Sequence, residues 1–210
     1  MLRPRRAWLY RVVAGISRPV LRLLWRYEAT GLERLPAGGF VLAAGHHSNF
    51  DPWPLGIAIS KNHFVRYMAK SELFWPPLSW WIKGMGGFKV RRGEADREAL
   101  ATARRLVREG DVIGMFPEGT RRSKGLMKRR QPEVHDGAAR IALGAGVPLV
   151  PAAVSGTDRL ARFAKLRVAY GEPVPVDDLA GLPRRKAARV ATERLMTRIH
   201  ELEAELDERP

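Results

Sequence analysis

Phe40-Val41-Leu42-Ala43-Ala44-Gly45-His46-His47-Ser48-Asn49-Phe50-Asp51-Pro52 runs from five apolar residues through a polar loop to an aspartate-proline pair. The apolar run, introduced by Gly38-Gly39, reads as a buried strand that stops at Gly45. Asp51-Pro52 reads as a helix start, a capping carboxylate followed by proline in the first turn. Strand, loop and helix in direct succession form the repeating unit of an α/β sheet.

The same alternation continues outward. Further strands are expected near residues 64–68, 88–91, 111–116, 147–154 and 166–170. Helices are expected at 94–109, with Leu100, Ala103, Leu106 and Val107 inward, at 136–143, and at 184–206, with Leu195, Ile199, Leu202 and Leu206 on one face. The pattern predicts an α/β fold with a mixed, mostly parallel central sheet flanked by helices. At 210 residues the chain is one domain with a small appended element: a main body over 29–210 and an amphipathic segment over 1–28. There is no internal repeat and no long linker.

Residues 6–27 have helical periodicity. Leu9, Val12, Val13, Ile16, Val20, Leu23 and Leu24 recur at helical spacing, while Arg11, Arg18, Arg22 and Arg26 form a separate stripe. Trp8, Tyr10 and Trp25 lie near the ends, and Pro19 is expected to kink or split the helix. Such a helix suits the plane of a membrane interface, with its arginines toward anionic headgroups; the alternative is a surface helix docked on the protein. Residues 74–88 carry a single charge, Lys83, among Trp75, Trp80, Trp81, Pro76 and Pro77. They read either as core or as a stretch facing membrane or acyl chain.

The formal net charge is +15, which calls for an anionic partner: nucleic acid, lipid headgroups or a phosphorylated substrate. No cysteine is present, so disulfides, thiolate metal sites and a cysteine nucleophile are excluded. No signal-peptide pattern and no run of apolar residues long enough to span a bilayer is seen. These features fit the cytoplasmic face of the cell membrane and peripheral attachment.

His63, His135 and His200 lack an acidic or metal-ligand companion at a telling spacing. His46 and Asp51 differ. In a loop that enters a helix, the aspartate turns back to accept the imidazole Nδ1–H, which fixes the tautomer and leaves Nε2 as a base. Two more polar stretches follow strands. Gly86-Gly87-Phe88-Lys89-Val90-Arg91-Arg92-Gly93 combines close backbone approach with guanidinium groups. Phe116-Pro117-Glu118-Gly119-Thr120-Arg121-Arg122-Ser123 packs an acid, a turn, a hydroxyl and guanidinium groups into an anion-binding corner. In open α/β sheets ligands bind beyond the carboxyl ends of strands, where His46 and Glu118 fall.

Together these blocks resemble the lysophospholipid acyltransferase family, specifically bacterial 1-acyl-sn-glycerol-3-phosphate O-acyltransferases. The His-four residues-Asp motif matches His46 to Asp51. The Gly-containing strand ending in Arg matches Gly86 to Arg92. The Phe-Pro-Glu-Gly-Thr-Arg-Ser motif matches Phe116 to Ser123 with Arg122 inserted. A Val-Pro-x-Val-Pro strand matches Val147 to Pro151. The ordered set covers roughly residues 30–172. The resemblance implies that His46 deprotonates the acceptor hydroxyl, that Asp51 orients it, and that Arg92, Glu118, Gly119, Thr120 and Arg121, with Lys70, bind the acceptor phosphate. It implies acyl-CoA or acyl carrier protein as donor, a lysophospholipid acceptor, an anionic membrane surface and phosphatidate as product. It implies no metal, no cofactor and no nucleic acid. Arg91 stands where the second motif often has Asp, and Asp136-Gly137 where a basic-Gly pair is usual, which bears on the acceptor headgroup.

Two alternatives remain open at this level. His46-His47-Ser48-Asn49-Phe50-Asp51 also fits the His-His-three residues-Asp motif of condensation-type acyltransferases, where the second histidine is the base. Those chains are much longer and place glycine where this one has Pro52. The charge also fits a non-enzymatic module binding membrane or nucleic acid, although no nucleic-acid-binding signature is present.

Overall fold

A computed structural model describes residues 8–90, 97–119 and 134–208, apart from the side chain of Lys70. The elements run in the order α1 (Trp8–Trp25), β1 (Glu28–Thr30), β2 (Val41–Ala44), α2 (Pro52–Ile59), β3 (Val65–Lys70), α3 (Leu78–Gly84), β4 (Phe88–Val90), α4 (Arg97–Arg108), β5 (Val112–Met115), α5 (Gly137–Ala145), β6 (Leu149–Ser155), β7 (Arg167–Tyr170) and α6 (Arg184–Glu208).

The apolar run at 40–44 forms the centre of a seven-stranded sheet of order β1-β7-β6-β2-β5-β3-β4. Its register pairs Val41 with Leu149 on one side and Ile113 on the other. Every neighbouring pair is parallel except β6 with β7. The sheet is therefore mixed and mostly parallel, as expected. Strands covered on both faces read as continuous apolar runs, which is why β2 and β6 were legible. The short β1 was not expected: Glu-Ala-Thr shows no apolar pattern, and its backbone is recruited by β7.

Alternate residues of β2 feed two layers. Val41 and Ala43 join Ala103, Ile113, Ile141, Leu149, Leu195 and Ile199 beneath α4, α5 and α6. Phe40, Leu42 and Ala44 join Leu21, Leu55, Ile57, Val150 and Tyr170 beneath α1 and α2. Each fully buried large aliphatic contributes roughly 1.5–3 kcal/mol.

α1 differs from its sequence reading in two ways. It runs through Pro19 unbroken. The carbonyl that proline leaves without an N–H partner belongs to Gly15, which is exposed to solvent. The helix ends at Trp25, so Arg26, with φ of 48°, lies beyond it. The docked face is Tyr10, Ala14, Ser17 and Leu21, while the apolar stripe of Trp8, Val12, Ile16, Val20, Leu23 and Leu24 faces outward. Trp75, Trp80 and Trp81 are also exposed, so of the stretch 74–88 the tryptophans are not core, while Phe88 at its end is. Leu9 lies against Gly84 and joins the two apolar surfaces.

α2 is short, apolar and buried, and side chains hold it from several sides. The chain has four tyrosines, and each donates its hydroxyl to a carbonyl of α2. Tyr67 reaches Pro52 O at 3.1 Å, Tyr27 reaches Pro54 O at 2.6 Å, Tyr170 reaches Leu55 O at 2.6 Å and Tyr10 reaches Gly56 O at 2.7 Å. Arg18 Nη2 donates to Ile57 O at 2.9 Å and to Ser60 Oγ at 3.0 Å. Gly56 and Ile57 are among the last carbonyls of the helix, where its regular backbone bonds run out, and Ile57 O also accepts the N–H and hydroxyl of Ser60. Tyr10 and Arg18 supply donors to them from α1.

Burial pushes all four phenols above their ordinary value of 10.0. Folded-state values above the unfolded value mean that their contribution to stability is fully present below pH of about 10 and is lost as pH rises beyond it. On alkaline titration, phenolate absorbance is expected to stay low until the fold opens. All four tyrosines should then ionise in one step, together with loss of far-ultraviolet circular dichroism. A tyrosine ionising near its ordinary value in still-folded protein would contradict the arrangement.

Candidate active site

β2 ends at Ala44, and the loop after it folds around one carboxylate. Asp51 is fully buried. Its Oδ2 accepts the backbone N–H of His47 at 2.7 Å and of Ser48 at 2.8 Å, and lies 2.9 Å from His46 Nδ1. Its Oδ1 accepts the hydroxyl of Thr157. A carboxylate removed from water has to fill its lone pairs this way. Asp51 does precede α2, with Pro52 in the first turn, but its side chain makes no capping hydrogen bond. It turns back onto the loop instead, because three donors there outweigh one cap.

The contact with Asp51 assigns the proton of His46 to Nδ1 and the lone pair to Nε2. Among the described residues, Nε2 takes no hydrogen bond. The ring stacks on Phe116 with centroids 4.3 Å apart and planes at 22°. Phe116 in turn stacks on Tyr67 at 6.3 Å. The imidazole is thus clamped at one edge by a carboxylate and along one face by an aromatic ring, and keeps 15% exposure.

The corner after β5 meets this loop. The His46 N–H donates to Glu118 Oε2 at 3.4 Å, and Glu118 is buried. Gly119 has φ of 61°, and a Cβ there would stand 2.8 Å from His135 Cδ2. His135 closes the corner by donating its N–H to Pro117 O at 2.8 Å. The first and third motifs, 72 residues apart, are therefore in hydrogen-bond contact. Lys70 ends β3, which runs parallel to β5, so its backbone reaches the same edge of the sheet. Arg92, Thr120 and Arg121 lie outside the described residues. Ser48 is occupied locally, its Oγ accepting the Phe50 N–H at 3.3 Å.

Sequence reasoning missed two contributors. Thr157 follows β6 after Gly156, and β6 is parallel to β2, so its end opens at the same edge. A hydroxyl just past that strand was the available signal. Glu203 on α6 lies 3.0 Å from His47 Nε2, and a separation of 156 residues left no signal at all. His63 packs edge-on against Phe40, and burial lowers its pKa. His200 is exposed. Among the described residues no cluster could hold a metal ion.

Residues 26–155 match the Acyltransferase family. Over 207 residues the chain is 34% identical to the 1-acyl-sn-glycerol-3-phosphate acyltransferase of Bacillus subtilis (strain 168), covering 95% of this chain and 100% of that one. It is 28% identical over 171 residues to the enzyme of the same name from Streptococcus pneumoniae, covering 76% of this chain and 61% of that one. The crystal structure of the 1-acyl-sn-glycerophosphate (LPA) acyltransferase PlsC from Thermotoga maritima shares the fold, with a TM-score of 0.64 at 24% identity over 92% of this chain and 79% of that one. With a family match over more than half its length and a relative aligned end to end, the chain is a member of the acyltransferase family.

Proposed function

We propose that this acyltransferase moves a fatty acyl group from the thioester of acyl-CoA or acyl carrier protein to the free hydroxyl of 1-acylglycerol 3-phosphate, giving phosphatidate. The observation that carries the reading is the contact between His46 Nδ1 and buried Asp51, with the Glu118-Gly119 corner against the same loop. The names of the two relatives above point to the same acceptor.

In this reading Nε2 of His46 takes the proton of the acceptor hydroxyl while Asp51 stabilises the imidazolium. The oxygen attacks the thioester carbonyl, the carbon–sulfur bond breaks, and the proton passes from the imidazolium to the departing thiolate. Transfer is direct, with no acyl-enzyme. Lys70, Arg92, Glu118, Gly119, Thr120 and Arg121 form the acceptor side. Among them the cations and backbone N–H groups suit phosphate, while the acceptor-only Glu118 carboxylate holds the corner against His46.

His46→Ala and Asp51→Asn are each expected to lower kcat by roughly 10²–10⁴-fold, measured with labelled acyl-CoA and a panel of lysophospholipids in micelles. His47→Ala should lose less. An active His46→Ala protein beside a dead His47→Ala protein would transfer the base to His47 and overturn the assignment. Preference for an acceptor without a phosphate monoester would overturn the substrate.

Segment 1–28 is read as the membrane-association element, acting at the cytoplasmic face of the membrane. No described helix is long and apolar enough to cross a membrane. The exposed stripe of α1, flanked by Arg11 and Arg22 and joined to the tryptophans around α3, supports peripheral attachment. Ile16→Asp with Leu23→Asp should release the protein from anionic vesicles in a sedimentation assay. Turnover of a short-chain, monomeric lysophosphatidate should be retained. Undiminished vesicle binding would remove the stripe from the membrane reading.

A further inference from the structure

The motif loop carries a second histidine that the reaction above leaves unused. The ring of His47 meets α6, its Nε2 lying 3.0 Å from Glu203 Oε1. The Glu203 side chain is 15% exposed. The contact is built into the fold from two directions. Leu202 and Leu206 pack with Ala153 of β6 and Ala169 of β7 and seat this part of α6 on the sheet, with Glu203 between them in sequence. On the loop side, Gly45 leaves the space that the carboxylate occupies. A Cβ at position 45 would stand 2.0 Å from Glu203 Oε1 and 3.3 Å from His47 Nε2. The backbone N–H of His47 then donates to Asp51 Oδ2 at 2.7 Å. One line of contacts runs from α6 through the His47 ring and its own amide to Asp51, and from Asp51 to His46 Nδ1.

We propose that Glu203 is a positioning residue for acyl transfer. By holding the His47 ring it fixes the backbone of the loop, so that the amides of His47 and Ser48 converge on Asp51 and the carboxylate keeps His46 in one tautomer and one orientation. Gly45 is required because any side chain there evicts Glu203. The role rests on the reading of His46 and Asp51 given above, and Glu203 acts in it through His47. Loss of a side chain that sets the angle of a base costs turnover rather than binding. Misplacing a catalytic group by a fraction of an ångström to an ångström lowers rate by roughly 10- to 100-fold.

The test uses the full chain carrying Glu203→Ala, Glu203→Gln, Gly45→Ala, His47→Ala, the Glu203→Ala/His47→Ala pair, and His46→Ala as control. The substrates are labelled acyl-CoA and 1-acylglycerol 3-phosphate in micelles, and thermal unfolding is followed in parallel. Glu203→Ala and Gly45→Ala are expected to lower kcat by roughly 10- to 100-fold, with KM for both substrates and Tm close to wild type. Glu203→Gln should keep most of kcat, because its amide oxygen accepts the same hydrogen bond. The double variant should be no worse than the poorer single variant, as two members of one network require. A kcat for Glu203→Ala within about twofold of wild type, losses that only follow Tm, or additive losses would overturn the proposal. The His46 Nδ1–H resonance gives a readout free of substrate. Its exchange with water should accelerate in Glu203→Ala, and unchanged exchange would also overturn it. Failure of the acyltransfer reading is separate: it appears as wild type without transfer, or as an active His46→Ala protein, and the resonance then decides on Glu203 alone.

Discussion

Withdrawing the carboxylate of Asp51 from water is the constraint around which this molecule is organised. An ionised group with no solvent contact is tolerated only where surrounding donors replace its hydration. Here the donors come from two amides of its own loop, an imidazole and a hydroxyl delivered by another strand. Their convergence dictates the shape of the loop after β2. It also draws on the order of the strands, because Thr157 reaches the loop from the end of β6, which lies beside β2 and runs the same way. Geometry demanded by one buried charge thus links local backbone conformation to sheet topology.

The same demand explains the treatment of α2. A helix of eight residues has too few internal bonds to hold itself in place. Hydroxyls from α1, the residue before β1, β3 and β7 grip its carbonyls, and Trp53 Nε1 adds a bond to Ser17 Oγ at 3.2 Å. The element that presents Asp51 is therefore tied to four separate parts of the chain. Tyrosine suits the task, since its ring fills apolar space while its hydroxyl reaches a polar partner.

The parts of the fold legible in the sequence were those set by burial on both faces. The runs at 40–44 and 147–154 and the periodic helix at 184–206 each announce themselves, with boundaries moved by only a few residues, and so does the helix expected at 94–109 over its described residues from 97 onward. β1 was illegible because its three residues contribute backbone rather than apolar side chains. In α1, a count of apolar positions picked out Val12, Ile16 and Leu23 as one face. It could not tell that a smaller set with Tyr10, Ala14 and Ser17 would dock. The spacing of His46 and Asp51 was informative because both lie in one loop. Thr157, Glu203 and the packing of His135 on Gly119 are long-range contacts, created only when separate strands and helices assemble.

The docking of α1 fixes a height. Tyr10, Ser17 and Arg18 tie this helix to the one that follows Asp51, while its opposite side is apolar and open. Shifting α1 relative to the sheet would break all three ties together. If a bilayer receives the apolar side, the imidazole rides above it at a level set by the protein rather than by the lipid. A hydroxyl buried deeper than that level has to rise to be acylated, and one standing higher passes over it.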